Sequence, residues 1–205
     1  MALILASASP RRATLLTQAG YDFVIEPAHF DEDAYLDAYP PRQLAAFLAD
    51  AKAREIAPRF PDDVILAADT VVAFGDTCLG KPANPLEARE MIKLLGGATH
   101  LVITGVAVHC RAQKLELEEI VMSSVRMRHL DARELEAYVA SERWRGKAGG
   151  YGIQDPGAIV TCLAGSPTNV VGLPMGQTRA LLARAGITPR RSDNDSGGHD
   201  GRQSV

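Results

Sequence analysis

Asp69 stands in the middle of Val64-Ile65-Leu66-Ala67-Ala68-Asp69-Thr70-Val71-Val72-Ala73-Phe74, the most apolar stretch of the chain. A carboxylate among such neighbours is costly unless it is paired, hydrogen-bonded or bound to a cation. A structural Asp would bond a neighbouring turn. A charge inside a core strand points instead to a catalytic acid. Arg11 and Arg12 break a second local rule. They follow Ser7-Ala8-Ser9-Pro10 and fall in the first turn of a predicted helix, where positive charge opposes the macrodipole. An anionic ligand, foremost a polyphosphate, removes that conflict, and backbone N–H groups at such a junction converge on one spot. Two solvated arginines are the plain alternative. Lys52 falls beside the apolar stripe of its helix, as a snorkelling lysine does or as one that faces a phosphate. Lys81 is the cation at the tip of the bend Gly80-Lys81-Pro82. Glu32, within His29-Phe30-Asp31-Glu32-Asp33, belongs to a solvated acidic loop or to a divalent-cation site built on oxygen ligands.

The elements that must hold these groups follow from pattern. Leu3–Leu5 reads as a short buried strand. Ser9 as N-cap and Pro10 at the first position open a helix whose apolar stripe includes Leu15, Leu16 and Ala19 and which Gly20 stops. Tyr21 to Ile25 alternates as a second strand, with Tyr21, Phe23 and Ile25 on one face. A helix runs from about Arg42 to Ile56. Gly75-Asp76 marks a hairpin returning through Thr77 to Leu79. Asn84-Pro85-Leu86-Glu87 starts a helix that Gly96-Gly97 ends. Leu101 to Cys110 and Leu115 to Met127 form a second hairpin, and Asp131 with Glu134 opens a helix through about Ala140. Trp144 to Gly157 carries five glycines. It fits neither a phosphate-loop nor a dinucleotide fingerprint, and its composition alone describes a flexible loop. Ile159–Leu163 is a strand, and Pro174 begins a last helix closed by Gly186. Interleaved helices and strands with two antiparallel hairpins predict an α/β fold: a mixed, twisted sheet with flanking helices.

The chain has 205 residues, 46% of them hydrophobic and 23% charged, with a net charge of -3. That suits one soluble domain, or two lobes around a cleft, and gives no reason to expect nucleic-acid binding. Cys78, Cys110 and Cys162 are odd in number and far apart, which fits a reducing compartment and neither a disulfide framework nor a zinc knuckle. There is no signal-peptide pattern and no apolar run long enough for a membrane span. The expected folded domain is 1–189, followed by a polar tail, 190–205, too poor in apolar residues to order.

Five segments in order resemble the Maf family: Ser7-Ala8-Ser9-Pro10-Arg11-Arg12, Ala68-Asp69-Thr70, Gly80-Lys81-Pro82, Lys147-Ala148-Gly149-Gly150-Tyr151-Gly152-Ile153-Gln154, and Asn169-Val170-Val171-Gly172-Leu173-Pro174. The resemblance runs to about Gly186. It implies a two-lobed α/β fold with a central cleft, as in Maf and inosine triphosphatase-like proteins. It also implies a cytoplasmic, often dimeric nucleoside triphosphate pyrophosphatase that cleaves between the α- and β-phosphates with a divalent cation, Mg2+ or Mn2+. Arg11, Thr70 and Gln154 match the branch that prefers dTTP and UTP rather than 7-methyl-GTP. Thr168 stands where Ser or Tyr is more usual.

On that basis Asp69 is the expected proton acceptor for the attacking water and a metal ligand, with Glu32 as a second metal carboxylate. Ser7, Ser9, Arg12, Lys52 and Lys81 are expected around the phosphates. Arg11, Thr70 and Gln154 are expected to choose the base, the Gln154 amide offering a donor and an acceptor to an imide edge. A nucleotide-sensing module in control of cell division is the alternative. A phosphotransferase is disfavoured by the lack of P-loop or kinase signatures.

Overall fold

A computed structural model describes residues 1–190 of the chain. Seven strands form one mixed sheet: β1 (Leu3–Leu5), β2 (Val24–Ile25), β3 (Val64–Phe74), β4 (Thr77–Leu79), β5 (Thr99–Cys110), β6 (Leu115–Met127) and β7 (Val160–Ala164). The order is β2-β1-β3-β5-β6-β7, with β4 paired to β3. The β2-β1-β3 pairs are parallel and the rest antiparallel. Six helices flank it: α1 (Pro10–Gln18), α2 (Pro41–Ile56), α3 (Pro85–Leu95), α4 (Ala132–Ala140), α5 (Pro167–Val171) and α6 (Met175–Arg184). Asn84 caps α3 through its side chain, and Asp131 with Glu134 makes the expected capping box on α4.

The core divides into four clusters around the middle of β3. On one face Ile4, Ile65 and Ala67 pack under Ala49, Ala53 and Ile56 of α2, while Val71, Ala73 and Ile103 pack under its Leu44, Ala45 and Leu48. On the other face Leu66, Ala68 and Val106 meet Leu16 of α1 and Leu181 and Leu182 of α6, while Val72 and Val102 meet Ile92 of α3 and Leu135 and Tyr138 of α4. Period-two alternation sends Asp69 to the α2 face and Thr70 to the other, both at the boundary between clusters. The two expected lobes are the two ends of one continuous sheet.

A gap in pairing opens the cleft. On one edge of β3, β1 takes residues 64–66 and β4 takes 72–74, while β5 covers the opposite edge from Ile65 to Ala73. Among the described residues no strand pairs with 67–71 on the first edge. Gly105, directly across from Asp69 on β5, lets α2 lie close to the sheet. A Cβ there would be 2.2 Å from the Ala45 carbonyl oxygen.

Several boundaries differ from the sequence reading. The second strand is only Val24–Ile25, because the chain is still turning at Tyr21: Gly20 has φ +81° and the Tyr21 N–H donates to the Leu16 carbonyl, a helix-end bond. Tyr21 is buried but Ile25 is exposed, so they do not form one strand face. The α5 helix was not expected; its five residues are too few to show a period. β7 and α6 each begin one residue later than predicted. The expected tail lies outside the described residues except Arg190, whose N–H donates to the Gly20 carbonyl at 2.8 Å and whose guanidinium pairs with Asp22.

Gly105→Ala should lift α2 off the sheet and destabilise the protein by about 1–3 kcal/mol, the usual cost of overpacking. Urea unfolding reads this as a lower midpoint at unchanged slope.

Candidate active site

The central pairing is between α2 and β3. Lys52 is buried although it is a lysine, because the helical stripe that carries Leu48 and Ala49 turns it toward the sheet at the level of Asp69. Its Nζ donates to Asp69 Oδ1 at 2.5 Å and to Glu32 Oε1 at 2.5 Å. Glu32 Oε2 accepts from Lys81 Nζ at 2.6 Å. Acid and base thus alternate from the buried strand to the surface: Asp69, Lys52, Glu32, Lys81. Burial would push the Glu32 carboxyl up, but Lys52 and Lys81 outweigh it and hold it down at about 2.

Arg12 faces the same group from the other side of β3. Its Nε donates to the Gly172 carbonyl at 2.8 Å, one Nη to Ser7 Oγ at 3.0 Å and the other to Thr70 Oγ1 at 3.2 Å. Burial pushes this guanidinium down, opposed by Asp69 and then Glu32. Arg11 reaches across the cleft to the Gly146 carbonyl at 3.1 Å. The paired arginines of the first turn are therefore offset partly by carbonyls and carboxylates of the protein itself. Ser9 occupies the N-cap position, but its side chain makes no capping bond, contrary to expectation; instead its N–H donates to Ser7 Oγ at 3.2 Å. Among the described residues nothing accepts from the backbone N–H groups of Ala8, Arg11 and Arg12. These are the anion-ready donors the junction predicts.

The glycine-rich loop is tethered, unlike the flexible segment its composition describes. The Gly149 N–H donates to the Gly80 carbonyl at 2.9 Å, the Tyr138 hydroxyl to the Gly150 carbonyl at 3.0 Å, and Tyr151 shares a 2.5 Å hydrogen bond with His100 Nε2. Lys147 pairs with Asp155. Burial holds His100 down at about 4, so the ring stays neutral near pH 7. At Gly149, with φ +67°, a Cβ would press on Val72 and Tyr151. The loop is packed against the sheet, and its outer residues form one wall of the cleft.

Ser7, Ser9, Arg11, Arg12, Glu32, Lys52, Asp69, Thr70, Lys81 and Gln154, every residue the sequence singles out, line one cavity of about 470 Å³. Lys147 and Arg145 line it as well. Lys147 lies within a quoted motif but had no assigned role. Its glycine setting hid a cation that the Asp155 pair fixes in place. Thr104 and Ser123 were missed altogether, and Asn169, which opens the last of the five segments, had no assigned role. They extend the polar line from Thr70: Thr70 and Thr104 hydroxyls are 2.9 Å apart, Thr104 donates to the Asn169 carbonyl at 3.3 Å, and Asn169 Nδ2 donates to Ser123 Oγ at 3.0 Å. Small hydroxyls in strands carry no sequence signal of this kind.

Asp69 uses a single oxygen in its bond to Lys52, which leaves one for a hard, oxygen-seeking dication, whereas both Glu32 oxygens accept from lysines and Glu32 would join such a site by giving up one of them. The arrangement as a whole pairs an anion-binding wall with a buried acid. Such a cleft can neutralise a polyphosphate and hold a water or metal beside it.

A family model described as Maf-like protein matches residues 2–185. A protein from Syntrophus aciditrophicus, named dTTP/UTP pyrophosphatase, is 43% identical over 185 residues, covering 90% of this chain and 90% of its own length. Proteins of the same name from Cereibacter sphaeroides and Rhodospirillum rubrum are 48% and 46% identical, covering 91% and 92% of this chain and 96% and 90% of their own.

The folded pKa of Glu32 lies below its unfolded value, so its contribution is fully present above about 4.5 and is lost as pH falls toward about 2. Urea unfolding should show the wild type more stable than Glu32→Gln at neutral pH, with the difference shrinking across that acid window.

Proposed function

The chain belongs to the Maf-like protein family, and on that premise we propose that it is a nucleoside triphosphate pyrophosphatase acting on dTTP and UTP. The relatives at 43% to 48% identity carry that activity in their names. The observation that carries the proposal is the buried Lys52–Asp69 pair at 2.5 Å in a cleft walled by further cations.

In this reading the triphosphate lies between Arg12, Lys52, Lys81 and the free N–H groups of the Ala8–Arg12 turn. Asp69 takes a proton from water as the water oxygen attacks the α-phosphorus. The bond from that phosphorus to the bridging oxygen breaks, and pyrophosphate leaves with the electron pair, giving a nucleoside monophosphate. Lys52 holds Asp69 by one oxygen and so leaves the other to accept the proton. Glu32 keeps Lys52 and Lys81 in place. Asp69 and Glu32 would hold Mg2+ or Mn2+. Such an ion supplies charge neutralisation on the phosphates and lowers the pKa of water. Arg11, Thr70 and Gln154 select the base. Gln154 is exposed on the glycine-rich wall, where its amide can meet an imide edge. Thr70 is tied to Arg12 and Thr104, so it acts on base choice indirectly, by fixing the arginine that holds the phosphates and with them the nucleotide.

The same reading takes the protein as a cytoplasmic homodimer. All three cysteines are free, as a reducing compartment requires. Among the described residues no helix is long and apolar enough to cross a membrane.

Pyrophosphate release from canonical and modified nucleoside triphosphates, with and without Mg2+ or Mn2+, tests the proposal. dTTP and UTP should be the preferred substrates, with nucleoside monophosphate as the second product. Asp69→Asn should lower kcat about 10²- to 10⁴-fold, as loss of a general base does, while nucleotide binding persists. Full turnover by that variant would remove the base assignment. Nucleotide binding without turnover by the wild type would favour a sensing module.

A further inference from the structure

A second polar cluster lies on the same sheet face as Asp69 but away from the cleft. Asp50 comes from α2, His109 from β5 and Glu118 from β6. Strand register brings the last two together, since Ala107 pairs with Glu118 and His109 with Glu116. His109 lies four residues along β5 from Gly105, the partner of Asp69, which is roughly 13 Å.

The ligand-capable atoms of the three side chains lie within 4.8 Å of one another. His109 is 3% exposed, and its Nε2 has no hydrogen-bond partner. Asp50 Oδ1 is likewise buried without a hydrogen bond, 3.2 Å from that nitrogen. This separation is close to the edge of a tetrahedron with metal–ligand bonds of about 2 Å. Burial pushes the His109 imidazole down, with Asp50 and Glu116 opposing. Arg54 occupies the other Asp50 oxygen at 2.7 Å and also binds Glu116. Three carboxyl groups, Asp50, Glu116 and Glu118, thus crowd one guanidinium, and a cation among them would relieve their mutual repulsion.

We propose that Asp50, His109 and Glu118 form a second metal site, separate from the nucleotide cleft, for a transition-metal dication such as Zn2+. One imidazole nitrogen with two carboxylate oxygens selects Zn2+ over Mg2+, because magnesium seldom takes nitrogen ligands. The site joins α2 to the β5–β6 hairpin. Its role is to clamp the helix that presents Lys52, two residues from Asp50.

Zn2+ alone, titrated into the chelator-stripped full chain, tests this. The wild type should bind one equivalent that Glu118→Gln and His109→Gln each weaken about tenfold or more, and Zn2+ should raise the Tm of the wild type but not of these variants. Glu118 is exposed, so Glu118→Gln keeps the test available if His109→Gln fails to fold. With both proteins stripped of zinc, magnesium-supported pyrophosphate release by Glu118→Gln should match the wild type. The Glu32→Gln, Asp69→Asn double variant should keep the zinc site, which separates this proposal from any cleft metal. Zinc binding equal in Glu118→Gln and wild type, or lost only in the cleft variant, overturns it.

Discussion

An ammonium and a carboxylate buried against each other between α2 and β3 set the terms for the rest of this fold. Taking either ion out of water costs several kcal/mol, and the attraction of one pair seldom does more than offset that cost. Leu and Met of similar size would fill the space at least as stably. Lys52 and Asp69 are tolerated because the pair does not end on itself. Lys52 hands on to Glu32 and Glu32 to Lys81, so each buried charge has an opposite neighbour and the chain finishes at an exposed ammonium. The helix must also come close enough for a lysine to reach a strand residue. The missing Cβ of Gly105 provides that approach.

The opposite face of the strand solves a related problem with neutral groups. Thr70 divides two apolar clusters there, as Asp69 does on the first face. Thr104, Asn169 and Ser123 continue the division across β5 toward β6, each bonded to the next or to backbone. Buried hydroxyls and amides cost little when their bonds are made, and here Asn169 Nδ2 is bonded twice while its Oδ1 accepts none among the described residues. This line ends at Arg12, whose three bonds to Ser7, Thr70 and Gly172 bring together the first loop, the central strand and the turn after α5. The two-lobed shape thus has a cause inside the sheet: apolar packing is interrupted at one level on both faces.

Much of this was legible from residue order, and the rest was not for identifiable reasons. Asp69 announced itself because a charge in an apolar strand is anomalous in its own immediate context. Lys52 did so because helical period places it beside Leu48. Arg11 and Arg12 stood out against the helix dipole. Each of these signals is local. The Ser123–Asn169 bond spans 46 residues and depends on strand register, and the Asp50, His109 and Glu118 cluster needs three elements at once. No window of sequence contains either. The glycine-rich loop misled for the converse reason: composition reports the freedom of an isolated segment, and here Tyr138, His100 and Gly80 supply partners from elsewhere. At Tyr21 a helix-end bond won over strand alternation.

The placement of the cleft then follows from strand pairing alone. Asp69 and Lys52 lie on the α2 face, whereas Arg12 and Thr70 lie on the other, and the sheet itself separates them. Both can line one cavity only because β3 lacks a strand neighbour from 67 to 71 on its outer edge among the described residues. A ligand touching both groups must lie across that edge, past the unpaired backbone. Extending β1 by five residues would close the gap and separate the acid from the arginine. The shortness of β1, and the turn that the chain makes at Ser7, are therefore as necessary to the cleft as any charged side chain. That is why the Ser7–Pro10 loop holds neighbours of the site instead of continuing the strand.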